Sequence, residues 1–197
     1  MFRDVPAGYV DQVIRLERFR AAHPAGVVCQ AGLASTHRKG TVMTQAAKHE
    51  ITISRLFDAP RELVYRAFVD PDQFCQWFGP DGYSVPCETV QIDARPGGFQ
   101  RFVMVSDEDP SHRSPVDTTF SEVIDDELLV GHEDVEGMPG TGRTTRLSLR
   151  LEFRDEANGK ARLELRQGPF TEERGSEAKT GWESSFGRLD SLLRRSL

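Results

Sequence analysis

The chain has 197 residues, 28% charged and 38% hydrophobic, the proportions of a globular domain large enough to bury a core without a structural metal, and no run approaches the ~18 uninterrupted apolar residues of a membrane-spanning helix. The formal net charge is −6, but residues 1–48 hold seven Lys/Arg against three Asp/Glu and the remainder holds 18 against 28. A body this acidic repels phosphate backbones, and the arginines after Arg143 form no basic stripe, so nucleic acid is set aside as a partner.

At the N-terminus, residues 9–20 (YVDQVIRLERFR) set Val10, Val13, Ile14, Leu16 and Phe19 three and four apart, which predicts a short amphipathic helix ended by Pro24. The Gly, Ala, Ser and Thr-rich stretch that follows, to Lys48, reads as a linker. Asp4, Asp11, Arg15, Glu17 and Arg18 interrupt every candidate signal-peptide core, so a cytoplasmic location is expected. This head has two readings: the helix is a docking element for a partner, or residues 1–42 are an over-extended reading frame, since Met43 followed by TQAAKHEITIS makes a natural start of translation.

From His49 the pattern sharpens. EITISRLFD sets Ile51, Ile53, Arg55 and Phe57 against Thr52, Ser54 and Leu56, the period-2 signature of a strand with one better-buried face. Asp58-Ala-Pro60 then offers a capping acid and a proline for the first turn of a helix over RELVYRAF. Asp70-Pro71 repeats the device for a second short helix, DQFCQWF, which Gly79-Pro80 stops. Three hairpins follow. YSVPCETVQIDAR and FQRFVMV flank Gly97-Gly98, PVDTTFSEVI and ELLVGHED flank Asp125-Asp126, and TTRLSLRLEF and KARLELRQ flank Asn158-Gly159, the strongest local hairpin signal of the three. In the last, Leu147, Leu149, Leu151 and Phe153 face one way and Arg146, Ser148, Arg150 and Glu152 the other. From about Glu172 to Leu197, Trp182, Phe186, Leu189 and Leu193, with Leu192 beside them, form the apolar stripe of a helix about 36 Å long, enough to cross a sheet of this size. Seven strands with antiparallel neighbours curl, and the terminal helix is the element long enough to fill the concave face.

RLFDAPRELVYRAFVDPDQFCQWFGPDGY, the Asp93-Ala-Arg-Pro-Gly-Gly98 turn, and Gly181-Trp182 leading into SFGRLDSLL resemble, in that order, the SRPBCC (START-like) superfamily, in the branch like the C-terminal domain of the heat-shock-protein-90 ATPase activator. The resemblance runs from about His49 to the C-terminus and divides the chain into an extension, 1–48, and one domain, 49–197. It implies an α+β helix-grip fold: a curved seven-stranded antiparallel sheet wrapped around a long C-terminal helix, two short helices after the first strand, and an apolar cavity between sheet and helix. It implies non-enzymatic binding of a small hydrophobic or amphipathic molecule, with a protein partner such as a chaperone ATPase, or an aromatase or cyclase activity, as alternatives.

The chain departs from similar sequences at Gln100-Arg101-Phe102, where aromatic residues flank a variable one, and at Gly131 and Glu133, where bulky apolar residues are usual. Alternation puts Gln100, Phe102 and Met104 on the inner face with Leu129, Gly131 and Glu133. One carboxylate and one amide among hydrophobes would suit a ligand with a donor group better than a plain alkyl chain; alternatively the strand frays and Glu133 is solvated. The ligand-binding candidates are Gln100, Phe102, Met104, Glu133, Leu149, Leu165, Trp182 and Phe186. Phe186 has helical spacing and can equally be core, whereas Trp182, taken as one turn into the helix near the open end, needs a partner for its indole N–H.

No catalytic residue, metal or cofactor is expected. The five histidines have no ligand spacing on one element, and His132 and Glu133 point to opposite faces of a strand. The only inward acid or base candidates for a cyclase are Glu133 and Arg101. Asp107-Glu108-Asp109 reads as a solvated hairpin tip rather than a calcium loop, and GMPGTGR (137–143) lacks the residues of a phosphate loop. Cys29, Cys75 and Cys87 show no CxxC spacing, so Cys75 and Cys87 are expected as small buried hydrophobes in a reducing compartment, with no disulfide framework.

Overall fold

The computed structural model describes residues 49–135 and 144–196; the helix expected at 9–20, the linker with Met43 and the 137–143 stretch lie outside the described residues. The elements run β1 (His49–Phe57), α1 (Arg61–Val69), α2 (Pro71–Trp77), β2 (Tyr83–Ser84), β3 (Gln91–Asp93), β4 (Phe99–Ser106), β5 (Arg113–Ile124), β6 (Leu128–Val135), β7 (Thr145–Glu156), β8 (Lys160–Phe170) and α3 (Glu172–Ser196). The sheet has the order β1-β8-β7-β6-β5-β4-β2, antiparallel throughout, and β3 also pairs with β4. This is the expected curled sheet with its long terminal helix, with one correction. The first strand of the first hairpin is split into β2 and β3, giving eight strands among the described residues. Pro86 has no N–H to offer a ladder, and Cys87–Thr89 winds into a 3-10 turn closed by the Thr89 hydroxyl donating to the Pro86 carbonyl at 2.7 Å.

The turns follow their residues. Asn158 and Gly159 both have positive φ, +63° and +69°, in a three-residue loop between the paired Glu156 and Lys160, and asparagine and glycine enter that region at the least steric cost. Gly98 is glycine for space, since a Cβ there would lie 2.0 Å from the Asp93 carbonyl oxygen. Asp70 caps α2 as expected, its side chain accepting from the N–H of Asp72 and Gln73. Asp58 does not cap α1: Pro60 occupies the cap position without a side-chain bond, and Asp58, two residues earlier, pairs with Lys160 at 3.3 Å.

The core lies where α1, α2 and the second half of α3 meet the concave face of β1, β8 and β7. Phe57, Trp77, Leu163, Leu165, Phe186 and Leu189 are all fully buried there. Trp77 donates its indole N–H to the Ala67 carbonyl at 2.8 Å, which locks α2 to α1. Arg55 sits in the inward row of β1 because Asp190 of α3 pairs with it, so the polar residue of that row ties strand to helix.

Cys75 and Cys87 are bonded to each other, with their Cα atoms 5.1 Å apart. This corrects the expectation of two separate small hydrophobes. The 3-10 turn that breaks the strand also carries Cys87 back against α2, and with that bond the argument from free thiols for a reducing compartment falls.

At the far end of the domain Tyr65, buried on α1, donates to Asp125 at 3.4 Å. Burial, reinforced by the Asp125 carboxylate, pushes its hydroxyl up to about 12 from an ordinary 10.0. Below pH 10 both folded and unfolded chains keep that proton. Between pH 10 and 12 the unfolded chain loses it first, so stability falls as pH rises through that window. Urea midpoints measured at pH 9 and pH 11 should separate in the wild type and separate less in Tyr65→Phe; an equal separation in both would remove Tyr65 from the effect.

Candidate functional site

Helix α3 packs against β1, β8, α1 and α2. It therefore grips one side of the curled sheet, and the inward side chains of β4 to β7 face a space beneath it. The space is a cavity of about 590 Å³. Its sheet wall follows from register: Phe102 stands opposite Val116, Glu133 opposite Leu147, and Leu149 opposite Gly131, which lends the wall no side chain. Gly131 is fixed by crowding, since a Cβ there would lie 2.7 Å from the Thr118 methyl and 3.1 Å from the Thr119 carbonyl oxygen. The opposite wall is aromatic, with Phe74 and Phe78 from α2 and its end and Trp182 from α3. Phe78 stands edge-on to Phe102, ring centres 5.0 Å apart, and to Trp182 at 5.4 Å.

Of the candidate residues, Gln100, Phe102, Met104, Glu133, Leu149 and Trp182 lie in the cavity wall. Leu165 and Phe186 do not. Leu165 is fully buried between Ile53 and Leu151 in the sheet, and Phe186 is fully buried against Phe57, 5.7 Å away, and Trp77. Trp182 donates its indole N–H to Gln167 Oε1 at 2.8 Å. It lies nearly three turns into α3, not one, because the helix already begins at Glu172. Glu133 stands in a β6 that continues to Val135, opposite Leu147, so the strand does not fray at it. Arg101 is exposed and outside the cavity: its Nε donates to Asp117 at 3.0 Å and its guanidinium lies 4.2 Å from the Phe99 ring centre, as strand alternation away from Gln100 and Phe102 demands.

Sequence reasoning missed the cavity residues Thr118 and Gln167, and Asp81, Arg174 and Glu177 of the same lining. A signal for Gln167 existed, since it is the polar member of the row Leu163, Leu165, Gln167. Thr118 likewise interrupts the row Val116, Thr118, Phe120. Neither stands out without knowing which rows face the helix. The acidic hairpin tip is exposed, and Asp109 accepts from the backbone N–H and hydroxyl of Ser111 at 3.0 and 2.6 Å, which holds its carboxyl below its usual range. Among the described residues no group of three or more His, Cys, Asp or Glu is placed to hold a metal, and no helix is long and apolar enough to cross a membrane.

Residues 58–194 match the family described as Activator of Hsp90 ATPase homolog 1-like protein. Among solved structures the chain is similar to a protein of Chromobacterium violaceum, at 23% identity over 73% of this chain and 96% of that one, with a TM-score of 0.63. It is also similar to the AHSA1 protein of Silicibacter pomeroyi, at 23% identity, 76% and 100% coverage and a TM-score of 0.63. A Staphylococcus epidermidis protein has 24% identity, 77% and 93% coverage and a TM-score of 0.61. At these identities the structures carry the fold alone. No curated protein matches the sequence.

Proposed function

The chain belongs to the Activator of Hsp90 ATPase homolog 1-like family, and from that premise we propose that it binds a small hydrophobic or amphipathic molecule between the sheet and α3, as a carrier or regulator without chemistry of its own. The observation that carries this reading is the cavity of about 590 Å³, whose surface is mostly apolar, with Phe, Leu, Val and Met side chains, and which also carries amide, hydroxyl, carboxylate, imidazole and guanidinium groups. That size and mix is what a site for a small organic ligand requires. A chaperone ATPase as partner rests on the family's name. The cyclase alternative loses Arg101, which pairs with Asp117 on the other side of the sheet.

A neutral dye, N-phenyl-1-naphthylamine, tests the proposal. Its fluorescence should rise on binding the wild type. Leu149→Trp puts an indole into the cavity from β7, and Met104→Trp does so from β4; each should weaken dye binding at least about tenfold, while the far-ultraviolet circular dichroism stays that of the folded chain. Dye binding that both tryptophans leave unchanged would move the site elsewhere and retire the proposal.

A further inference from the structure

Three neutral polar side chains stand in the inward rows of the sheet. Gln100 of β4 is opposite Thr118 of β5, and Gln167 of β8, across the cavity from them, is opposite Leu149 of β7. Charged members of the lining are engaged elsewhere: Asp81 pairs with Arg188 at 3.8 Å, and Glu133, Arg174 and Glu177 each have an interaction of their own. The two amides and the hydroxyl differ in having polar atoms to spare.

Each amide is oriented by a partner that leaves it one choice. The Phe68 carbonyl can only accept, so Gln100 turns its nitrogen to it, at 3.3 Å, and its oxygen faces away. The Trp182 indole can only donate, so Gln167 turns its oxygen to it, at 2.8 Å, and its N–H groups face away. Thr118 is 6% exposed and lies in the cavity wall. Its hydroxyl, the Gln100 oxygen and the Gln167 N–H groups bond no described residue. The cavity therefore offers an acceptor beside a hydroxyl at its β4–β5 side and a donor at its β8 side, with Leu147 and Leu149 of β7 between them.

Thr118 and Gln167 are three strand spacings apart in the sheet order, about 14 Å along its surface. The curl and the inward reach of both side chains shorten that, across the cavity, to the span of a two-ring molecule. A ligand hydroxyl at the first end donates to Gln100 and accepts from Thr118. A ligand carbonyl at the second accepts from Gln167. An apolar molecule without these groups leaves the three side chains desolvated and unpaired, which weakens its binding.

We propose that the cavity takes a neutral, apolar-bodied molecule with a hydroxyl at one end, held by Gln100 and Thr118, and a carbonyl at the other, held by Gln167. The inference rests on the reading of the cavity as a ligand site and adds to it the chemistry and direction of the bound molecule.

Four probes with one body decide it, each competing with N-phenyl-1-naphthylamine: biphenyl, 4-hydroxybiphenyl, 4-acetylbiphenyl and 4-acetyl-4′-hydroxybiphenyl. The last should bind most tightly, and removal of either polar group should weaken it at least about fivefold. Gln100→Met should cost the two phenols about fivefold and leave biphenyl and 4-acetylbiphenyl within about twofold; Thr118→Val should act in the same direction and serves if the first variant fails to fold. Gln167→Glu keeps an oxygen for the Trp182 indole and removes the amide donors, so it should cost the two ketones about fivefold and spare 4-hydroxybiphenyl; Gln167→Met serves in its place if the carboxylate prevents folding, its common effect on all four probes being divided out. Biphenyl competing as well as the bifunctional probe on the wild type would overturn the two-ended recognition and leave the ligand site standing. A phenol preference indifferent to Gln100→Met and Thr118→Val, or a ketone preference indifferent to the Gln167 variants, would overturn it as well. Failure of the dye and all four probes to bind would overturn the ligand site itself.

Discussion

Phe186→Ala is expected to lower the free energy of unfolding by about 3–5 kcal/mol, measured by urea denaturation followed by circular dichroism. The side chain is fully buried and is the point where α3 meets the rest of the fold. Phe57 of β1 lies edge-on 5.7 Å away, Trp77 of α2 lies behind it at 6.4 Å, and Trp182 of the same helix covers it at 5.5 Å. A methyl in place of the ring leaves a void bounded by aromatic rings that are themselves held by other contacts, Trp77 by its bond to the Ala67 carbonyl and Trp182 by its bond to Gln167. Little collapse can fill it, so the cost falls toward the upper end of the range. Against a total of about 5–15 kcal/mol for a domain, the variant retains only part of its margin. A loss below about 1 kcal/mol would mean that α3 is not seated on this residue.

Phe186 also shows where the sequence stops being legible. Its spacing from Trp182, Leu189 and Leu193 places it on the inward face of a helix, and the helix is there as expected. Periodicity defines an inward face but not how far the opposing sheet stands from it. Near Phe186 the sheet closes on the helix through β1, and one turn earlier, at Trp182, it stands back to leave the cavity. That change depends on the curl of eight strands, in which the β1–β8 pairing joins residues 104 to 121 positions apart. The hairpins were legible for the opposite reason. Asn158-Gly159, Asp125-Asp126 and Gly97-Gly98 turn the chain locally, and alternation along each strand then fixed which of Gln100, Phe102, Met104, Leu149 and Glu133 point inward. Alternation failed where the backbone left the extended form, at Pro86 to Thr89. The same break hid the approach of Cys87 to Cys75, because an unbroken strand would have carried the two apart.

Reducing the Cys75–Cys87 bond is expected to lower stability by about 3 kcal/mol, the loop-closure contribution of a loop of this length. The two cysteines are 12 residues apart in sequence. For a domain of this size that is a fall of about 6–12 °C in Tm on adding a phosphine reductant. Cys87 is exposed, so the reductant can reach the bond without prior unfolding. The change should fall mainly on α2. After reduction the 3-10 segment keeps its hold on β4, where the Val103 N–H donates to the Thr89 hydroxyl at 3.2 Å, whereas the exit of α2 through Gly79 and Pro80 loses its second tether. Phe74 and Phe78 carry the cavity wall on that helix and its end, so reduced protein should also bind N-phenyl-1-naphthylamine more weakly than oxidised protein. Thiol titration in denaturant supplies an independent reading: of the three cysteines, one should react before reduction and three after. In the Cys75→Ser, Cys87→Ser double variant the lower Tm should be present from the start and the reductant should change nothing. Three reactive thiols in protein never exposed to reductant, or a wild-type Tm indifferent to it, would show that the segment is held against α2 by packing alone.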